Sequence, residues 1–399
     1  MKGNAILGQS GGPTSVINSS LSGLITACKE AENIENVYGM SYGIEGFLND
    51  EVIDLGKEDD NIINGLRHTP ASALGSCRYK VQDSDFPIIL EKFKALNIRY
   101  YFLIGGNDTM DTINRIEKYC SEQGYQLKGV GVPKTVDNDL FGTDHTPGFS
   151  SAGKYVALSI QQSGRLARDM QRVDKYVIHQ TVGRDAGWLA ASSVIAKKNV
   201  EDAPHLIYMP EVKLNKEKVI EDVKKCVEKY GWVSIVCGEG ILWEDGTPVS
   251  ASETTDKFSN IEFGAMGGSS AALNLHKLIS QATDYRGEFQ ICESLPMCAI
   301  DRAVENDLQE AFDCGQKAVE YAHNGLSGVM VSIVRKSNTP YSIELEAVPL
   351  EDVAIKAKPM PREYINEEGN GVTDKLIDYL KPLIGELPDY VSFNNIPVK

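Results

Sequence analysis

The chain has 399 residues, of which 42% are hydrophobic and 24% charged, and this composition excludes the disordered and fibrous classes of protein. A chain of this length is expected to form two or three domains and to bury a sizeable core. Its 56 acidic residues exceed its 40 basic residues, and the net charge of −16 disfavours binding to nucleic acid and to anionic membrane surfaces.

The cysteines indicate a reducing compartment, and the apolar stretches indicate neither a signal peptide nor a membrane span. Eight cysteines are scattered along the chain and no two form a C-x-x-C pair, so we expect reduced thiols. The first apolar stretch, residues 5–7, is too short for a signal peptide. No stretch approaches the roughly 18 apolar residues that a membrane span requires. The sequence therefore predicts a soluble cytoplasmic protein.

Short apolar runs and amphipathic stretches alternate along the chain. The apolar runs predict buried strands at residues 5–7, 100–104, 130–132, 176–178, 206–209, 233–236 and 329–334. The amphipathic stretches predict helices at residues 14–32, 109–123, 153–172, 216–229 and 268–281. This alternation predicts an α/β fold with mostly parallel sheets, in which ligands bind beyond the carboxyl ends of the strands.

Two glycine pairs follow predicted strands and indicate phosphate binding. Gly11 and Gly12 follow the first strand, and the second pair precedes Asn107 and Asp108. At a strand-to-helix junction, bare backbone N–H groups and the positive helix end can hold an anion. For either loop taken alone, glycines that only permit a tight turn are an equal alternative.

The loop after the run at 130–132 concentrates reactive side chains. It contains Lys134, Thr135, Asp137, Asn138 and Asp139. Such density is typical of a catalytic site, with an Asx-rich turn as the alternative. One carboxylate could accept a proton from an attacking hydroxyl while another holds Mg²⁺, as in phosphoryl transfer.

Two arginines and one motif are weaker evidence for a phosphate-binding site than these loops. Arg184, after the run at 176–178, could clamp a sugar phosphate, but Arg184 and Arg78 could equally pair with neighbouring acids. Residues 148–155 fit G-x-x-x-x-G-K but end in Tyr155, which cannot hold Mg²⁺ as the Ser or Thr of a P-loop does. We therefore do not assign a P-loop.

Taken together, these loops resemble the phosphofructokinase family, in order from residue 3 to about residue 330. The segments Gly-Gly-Asn-Asp and Pro-Lys-Thr-Val-Asp-Asn-Asp are the most specific motifs. They resemble the pyrophosphate-dependent branch, because ATP-dependent members usually have glycine at the positions of Asp108 and Lys134. The resemblance implies two Rossmann-like domains. We place a phosphoryl-donor domain at 1–146, a sugar-phosphate domain at 147–285, and a crossover with a C-terminal extension at 286–399.

The resemblance also implies an activity and residue roles. The reaction is reversible, Mg²⁺-dependent transfer of a phosphoryl group from pyrophosphate to the 1-hydroxyl of fructose 6-phosphate, with Asp137 as general base and Lys134 and Asp108 as further catalytic residues. The donor site would consist of Gly11, Gly12, Arg78, Asp108 and Lys134. The sugar phosphate would contact Thr135, Val136, Asp137, Lys175, Val182, Gly183, Arg184, Glu211 and Arg286. Asn107 would be the Mg²⁺-associated residue.

Electrostatic interactions give a physical reason why the donor would be pyrophosphate and not ATP. A carboxylate at Asp108 would lie where the α-phosphate of ATP sits, and like charges about 4 Å apart cost several kcal/mol in a partly desolvated site. Lys134 can offset the dense charge of pyrophosphate and stabilise the departing phosphate. We therefore expect ATP to be excluded.

Four positions depart from the pattern of the family. Asn107 replaces the usual Asp, which removes one charge from the metal site. Lys175 replaces an arginine that normally reaches the sugar phosphate of an adjoining subunit, so we expect a dimer or tetramer. Ser22 and Thr26 stand where allosteric members carry two arginines, so we expect no phosphate-effector site there.

Residues 289–296 match the family least, and Arg286 supplies one cation where the family usually has two. Two alternatives therefore stay open: a non-catalytic regulatory subunit of the same fold, or the same chemistry on another sugar phosphate such as sedoheptulose 7-phosphate. The tail from about residue 344 has no assigned role.

Overall fold

The strands and helices alternate through most of the chain. A computed structural model describes residues 1–250, 268–354 and 357–393. The strands are β1 (Gly3–Gln9), β2 (Ile34–Met40), β3 (Val52–Asp54), β4 (Ile98–Gly105), β5 (Lys128–Pro133), β6 (Tyr176–Thr181), β7 (Leu206–Tyr208), β8 (Val233–Gly238), β9 (Gly287–Ile291), β10 (Val329–Asn338) and β11 (Tyr341–Pro349). The helices are α1 (Ile17–Glu30), α2 (Gly43–Leu48), α3 (Asp60–Leu66), α4 (Asp85–Ala95), α5 (Asn107–Glu122), α6 (Phe149–Asp169), α7 (Trp188–Ser192), α8 (Lys216–Tyr230), α9 (Ala271–Ala282), α10 (Glu305–His323), α11 (Leu350–Val353) and α12 (Asp374–Ile384).

The described strands form two sheets. The seven-stranded sheet has the order β11-β10-β5-β4-β1-β2-β3, and only its edge strands β3 and β11 run antiparallel to their neighbours. The four-stranded sheet has the order β7-β8-β6-β9 and is parallel throughout. Parallel neighbours require crossover connections, which the helices supply. The predicted α/β class with mostly parallel sheets is confirmed.

All seven predicted strands and all five predicted helices are present, with shifted ends. Helix α5 begins at Asn107, two residues before the predicted start, so Asn107 and Asp108 lie in its first turn. The prediction missed β2, β3, β9 and β11. Their burial is partial, and in β9 and most of β11 more and less exposed residues alternate, so the continuous apolar run of a strand covered on both faces is absent.

The chain returns to the first sheet after completing the second. Strand β10 pairs with β5, and α10 packs against α1. The two helices approach so closely that a Cβ on Gly23 would lie 2.1 Å from the backbone oxygen of Phe312. Strand β9, which belongs to the four-stranded sheet, lies beyond residue 285, where the sequence places the end of the sugar-phosphate domain.

The C-terminal segment, residues 357–393, packs against α6 and shares a core with side chains of β7 and β8. In α12, Leu376, Leu380 and Leu383 are buried in the same core as Val156 and Trp188. Among the described helices, none is long and apolar enough to cross a membrane. All eight cysteines are free.

Candidate active site

A cleft of about 430 Å³ opens where β1, β4 and β5 end. Three loops of the seven-stranded sheet meet there, together with the loop that follows β6. This is the edge of a parallel sheet at which ligands are expected. The cleft brings together nine of the predicted site residues: Gly11, Gly12, Arg78, Asn107, Asp108, Lys134, Thr135, Asp137 and Arg184.

The glycine loop after β1 presents bare backbone to the cleft. Gly11 has a φ of +76°, a conformation that favours glycine. A Cβ on Gly11 would also lie 3.3 Å from Nζ of Lys134, so a side chain would fill the space beside the ammonium. The hydroxyl of Ser76 donates to the backbone oxygen of Gly11 at 2.6 Å, which ties this loop to the segment that carries Arg78.

Lys134 is a buried cation at the base of the cleft. Only 4% of the residue is exposed, and its Nζ donates to the backbone oxygen of Gly12 at 2.6 Å. Burial lowers the pKa of Lys134 to about 8, although the carboxylates of Asp137 and Asp139 act in the opposite direction. The ammonium retains free donor capacity for an anion, because a lysine has three N–H groups.

Asp137 and Asp139 form an acidic pair close to Lys134. Burial raises the pKa of both carboxyls, and for Asp137 repulsion from Asp139 and Glu239 raises it further. Lys134 and Arg184 oppose that shift at Asp137. A raised pKa brings a carboxyl closer to neutral pH, where it can accept a proton from a hydroxyl more effectively.

Glu239 is a functional candidate that the sequence analysis did not identify. It directly follows β8, and its backbone N–H donates to the backbone oxygen of Thr181 at 3.0 Å, which holds it beside the loop carrying Arg184. Burial raises the pKa of Glu239 to about 7, against the opposing charge of Arg184. The signal was available, because Glu239 comes two residues after the apolar Cys237, at the carboxyl end of a predicted strand.

Two oxygens in the cleft fit a divalent metal. Among the residues that the structure describes, Oδ1 of Asn107 and Oδ1 of Asp137 are buried without a hydrogen-bond partner. Mg²⁺ prefers oxygen ligands and keeps several waters and phosphate oxygens in its shell. The described ranges contain no cluster of three or more His, Cys, Asp or Glu suited to a metal. A metal here would therefore depend on its phosphate ligands as much as on the protein.

Asp108 is largely exposed to solvent, whereas the sequence analysis expects it in a partly desolvated site. Its side chain is 84% exposed in the first turn of α5, and Nζ of Lys80 lies 3.7 Å from its Oδ2. Solvent screens such a charge, so the repulsion of an ATP phosphate is closer to about 1 kcal/mol at 4 Å than to the value for a desolvated pair.

Two of the predicted sugar contacts have other partners. The side chain of Val136 is 5% exposed and lies in the hydrophobic core with Phe149, so only its backbone can reach a ligand. The carboxylate of Glu211 accepts from the backbone N–H groups of Gly187 and Met360, each at 3.0 Å. Glu211 therefore joins the loop after β6 to the C-terminal segment, and it does not line the cleft.

Lys175 and Arg286 lie away from the cleft, at the opposite end of β6. Lys175 immediately precedes β6, whereas Val182, Gly183 and Arg184 immediately follow it, and a six-residue strand spans about 20 Å. The backbone N–H of Lys175 donates to the backbone oxygen of Arg286 at 2.6 Å. The Nε of Arg286 lies 2.9 Å from Oδ1 of Asp174.

Comparison with known proteins gives consistent matches over nearly the whole chain. A family model described as phosphofructokinase matches residues 4–264. A pyrophosphate–fructose 6-phosphate 1-phosphotransferase from Halomonas elongata is 40% identical, over 98% of this chain and 94% of the relative. A sulfofructose kinase from Alkalicoccus urumqiensis is 33% identical, over 90% of this chain and 91% of that protein. The crystal structure of a pyrophosphate-dependent phosphofructokinase from Marinobacter aquaeolei matches with a TM-score of 0.87 at 35% identity, over 98% of this chain and 94% of that one.

Proposed function

The chain belongs to the phosphofructokinase family, and we propose that it transfers a phosphoryl group reversibly from pyrophosphate to the 1-hydroxyl of fructose 6-phosphate, forming fructose 1,6-bisphosphate and phosphate. One observation carries the proposal: a buried lysine, Lys134, projects into the cleft that also contains Asp137. Pyrophosphate is small and densely charged, and a buried ammonium suits it.

Each residue of the cleft has a separate role in the in-line transfer of the phosphoryl group. Asp137 accepts the proton of the sugar 1-hydroxyl as that oxygen bonds to the terminal phosphorus and the bridging P–O bond of pyrophosphate breaks. Lys134 and the backbone N–H groups of Gly11 and Gly12 hold the departing phosphate. Arg184 binds the sugar phosphate. The phosphoryl group passes directly from donor to acceptor, without a phosphoenzyme.

The reaction also calls for a divalent metal, and Mg²⁺ fits the site. Oδ1 of Asn107 would hold it, together with pyrophosphate and water, because this buried oxygen has no partner within the described ranges. When bound, Mg²⁺ neutralises charge on the phosphate oxygens.

The sugar site is completed by a second copy of the chain, so the active form is at least a dimer. Lys175 and Arg286 lie together about 20 Å from the cleft of their own chain, at the start of β6. This distance prevents them from reaching that cleft. The Nζ of Lys175 donates to the backbone oxygens of Gln171 at 2.6 Å and Gly231 at 3.4 Å, and Arg286 pairs with Asp174. Both cations would leave these partners to bind the phosphate of a sugar held by a neighbouring subunit.

Two further proposals concern location and regulation. The eight free cysteines suit the reducing cytoplasm. The side chain of Ser22 is fully buried on α1, which α10 covers, so a phosphorylated effector would have no access to it.

A donor assay tests the proposed function. Purified protein is incubated with fructose 6-phosphate and Mg²⁺, with pyrophosphate or ATP in parallel, and fructose 1,6-bisphosphate is measured. We expect product with pyrophosphate and little or none with ATP, and an unchanged rate when ADP or phosphoenolpyruvate is added. Product with ATP alone would contradict the proposed donor. Absence of product with both donors, in folded protein, would favour either another acceptor or a non-catalytic regulatory subunit.

A different acceptor is the second candidate, and residues 289–296, the end of β9 and the loop after it, favour it. Residues 289–296 contain no basic residue. The sugar-phosphate site of this chain therefore has fewer positive charges to balance a phosphate monoester than the family usually has. A sulfonate carries one negative charge, whereas a phosphate monoester carries about 1.5 to 2 at pH 7. Sulfofructose, the substrate class in the name of one relative, is therefore added to the assay. Sedoheptulose 7-phosphate is added as a second phosphate monoester, because the altered segment could change which sugar is accepted. A higher kcat/KM with either would replace fructose 6-phosphate as the acceptor.

Replacing Asp108 with Gly is expected to raise kcat/KM for ATP by about fivefold, because about 1 kcal/mol of repulsion is removed in an exposed site. The rate with pyrophosphate should change little, because the charge of an exposed Asp108 is screened by solvent, so we expect a smaller role in catalysis than the resemblance implies. Steady-state kinetics with both donors measures the change. Asp108→Asn, which removes the charge and keeps the size, should behave like Asp108→Gly. If only the glycine variant gains activity with ATP, bulk and not charge excludes the nucleotide.

A further inference from the structure

The C-terminal segment crosses the catalytic loop, which we define as residues 134–139. The backbone N–H of Lys358 donates to the backbone oxygen of Asp139 at 2.6 Å, and Leu140 and Ala357 form an antiparallel bridge. Two residues later, the N–H of Met360 donates to Glu211 at 3.0 Å. Residues 357–360 therefore connect the catalytic loop of the first sheet to a loop of the second.

The side chain of Lys358 satisfies three oxygens beside the catalytic loop. Its Nζ donates to the backbone oxygens of Asp144 at 2.6 Å and Thr143 at 3.0 Å, and to Oδ1 of Asn138 at 3.4 Å. These contacts use all three N–H groups of the ammonium. The charge also lies 5.3 Å from the ring centre of Trp188, within the range of a cation–π contact. Lys358 does not line the substrate cleft.

Asn138, which stands between Asp137 and Asp139, has a backbone conformation that needs support. Its φ is +54°, in the left-handed region that non-glycine residues seldom adopt. Its Nδ2 donates to the hydroxyl of Tyr379 at 3.4 Å, and that hydroxyl donates to the backbone oxygen of Asp144 at 2.9 Å. Lys358 and Tyr379 thus hold the amide of Asn138 from both ends.

We propose that Lys358 is a positioning residue, which holds the catalytic loop in the conformation that directs Asp137 at the acceptor hydroxyl. The inference rests on the proposed function. It predicts an effect on the chemical step and little effect on substrate binding, because small displacements of a catalytic group lower the rate steeply. Removing the ammonium takes one donor from each of three oxygens, of which only that of Asp144 keeps the hydroxyl of Tyr379, and it releases the turn at Asn138.

The kinetic test compares two lysine variants of the same C-terminal segment. Lys358→Met keeps the length of the side chain and removes its charge, and we expect kcat to fall about 10- to 100-fold with both KM values within about threefold. Lys375→Met removes an exposed lysine that pairs with Glu363, and its kinetics should match the wild type. An unchanged kcat in Lys358→Met, or a loss that appears in KM instead, would overturn the proposal.

Two further measurements keep the test independent of folding and of the proposed activity. Tyr379→Phe removes one hydroxyl from the same network, and we expect kcat to fall several-fold without a change in KM. Hydrogen exchange measured by mass spectrometry needs no substrate, and amides of residues 134–139 should exchange faster in Lys358→Met than in Lys375→Met. Equal exchange would refute the positioning role, whereas faster exchange in a protein that forms no product would refute only the proposed function.

Discussion

Asp137→Asn is expected to lower kcat by about 10²- to 10⁴-fold, the range for loss of a general base. The amide cannot accept the proton of the 1-hydroxyl, and it keeps the size of the carboxylate. Both KM values should stay within about threefold, because the ground-state contacts of the substrates remain. Steady-state kinetics in the direction of fructose 1,6-bisphosphate measures the effect.

The pH profile separates loss of the base from a general disturbance of the site. Burial and the charges of Asp139 and Glu239 raise the pKa of Asp137, so in the wild type kcat/KM should rise with pH as this carboxyl loses its proton. That rise should disappear in Asp137→Asn. Asp111→Asn is the matched control, since Asp111 is another carboxylate lining the cleft. If the rise persists in Asp137→Asn, another group is the base.

Lys134→Met is expected to lower kcat by about 10²- to 10³-fold, because a buried donor to developing charge is removed. The pKa of Lys134, lowered to about 8 by burial, also predicts that activity falls as the pH rises above 8 and the ammonium loses its charge. This alkaline fall should be absent from the residual activity of Lys134→Met. Rates with saturating pyrophosphate, measured from about pH 6 to about pH 10, show both effects.

Lys80 provides the control for this second variant. It lines the same cleft, but its side chain is 53% exposed and its charge is screened by solvent. Lys80→Met should therefore lower kcat by much less than Lys134→Met. Equal losses in the two variants would mean that burial of Lys134 has no special effect on catalysis.

The catalytic loops could be predicted from the sequence because their signal is local. A buried strand is a continuous apolar run, and the residues that follow it lie at the carboxyl edge of the sheet whatever the rest of the chain does. Gly11, Asp108, Lys134 and Asp137 all follow such runs and all meet in one cleft. Glu239 obeys the same rule and could have been identified in the same way.

The contacts that depend on distant segments could not be predicted. Glu211 follows a predicted strand, yet its carboxylate accepts hydrogen bonds from backbone N–H groups, one of them 149 residues away at Met360. Lys358 comes from a tail with no predicted strand, and nothing local indicates that it meets Asn138. Strand β9 has no continuous apolar run, so its pairing with β6 appears only in the folded protein.

The return of the chain to the first sheet affects how the protein is made. Strand β5 lacks its neighbour β10 until some 200 further residues have been synthesised, because their pairing joins Val130 to Val329. During that interval the ribosome-bound chain exposes one edge of a hydrophobic sheet and the face of α1 that α10 later covers. Such long-range pairing slows folding and prolongs exposure to aggregation, so the first half of this protein depends on its last hundred residues to complete its core.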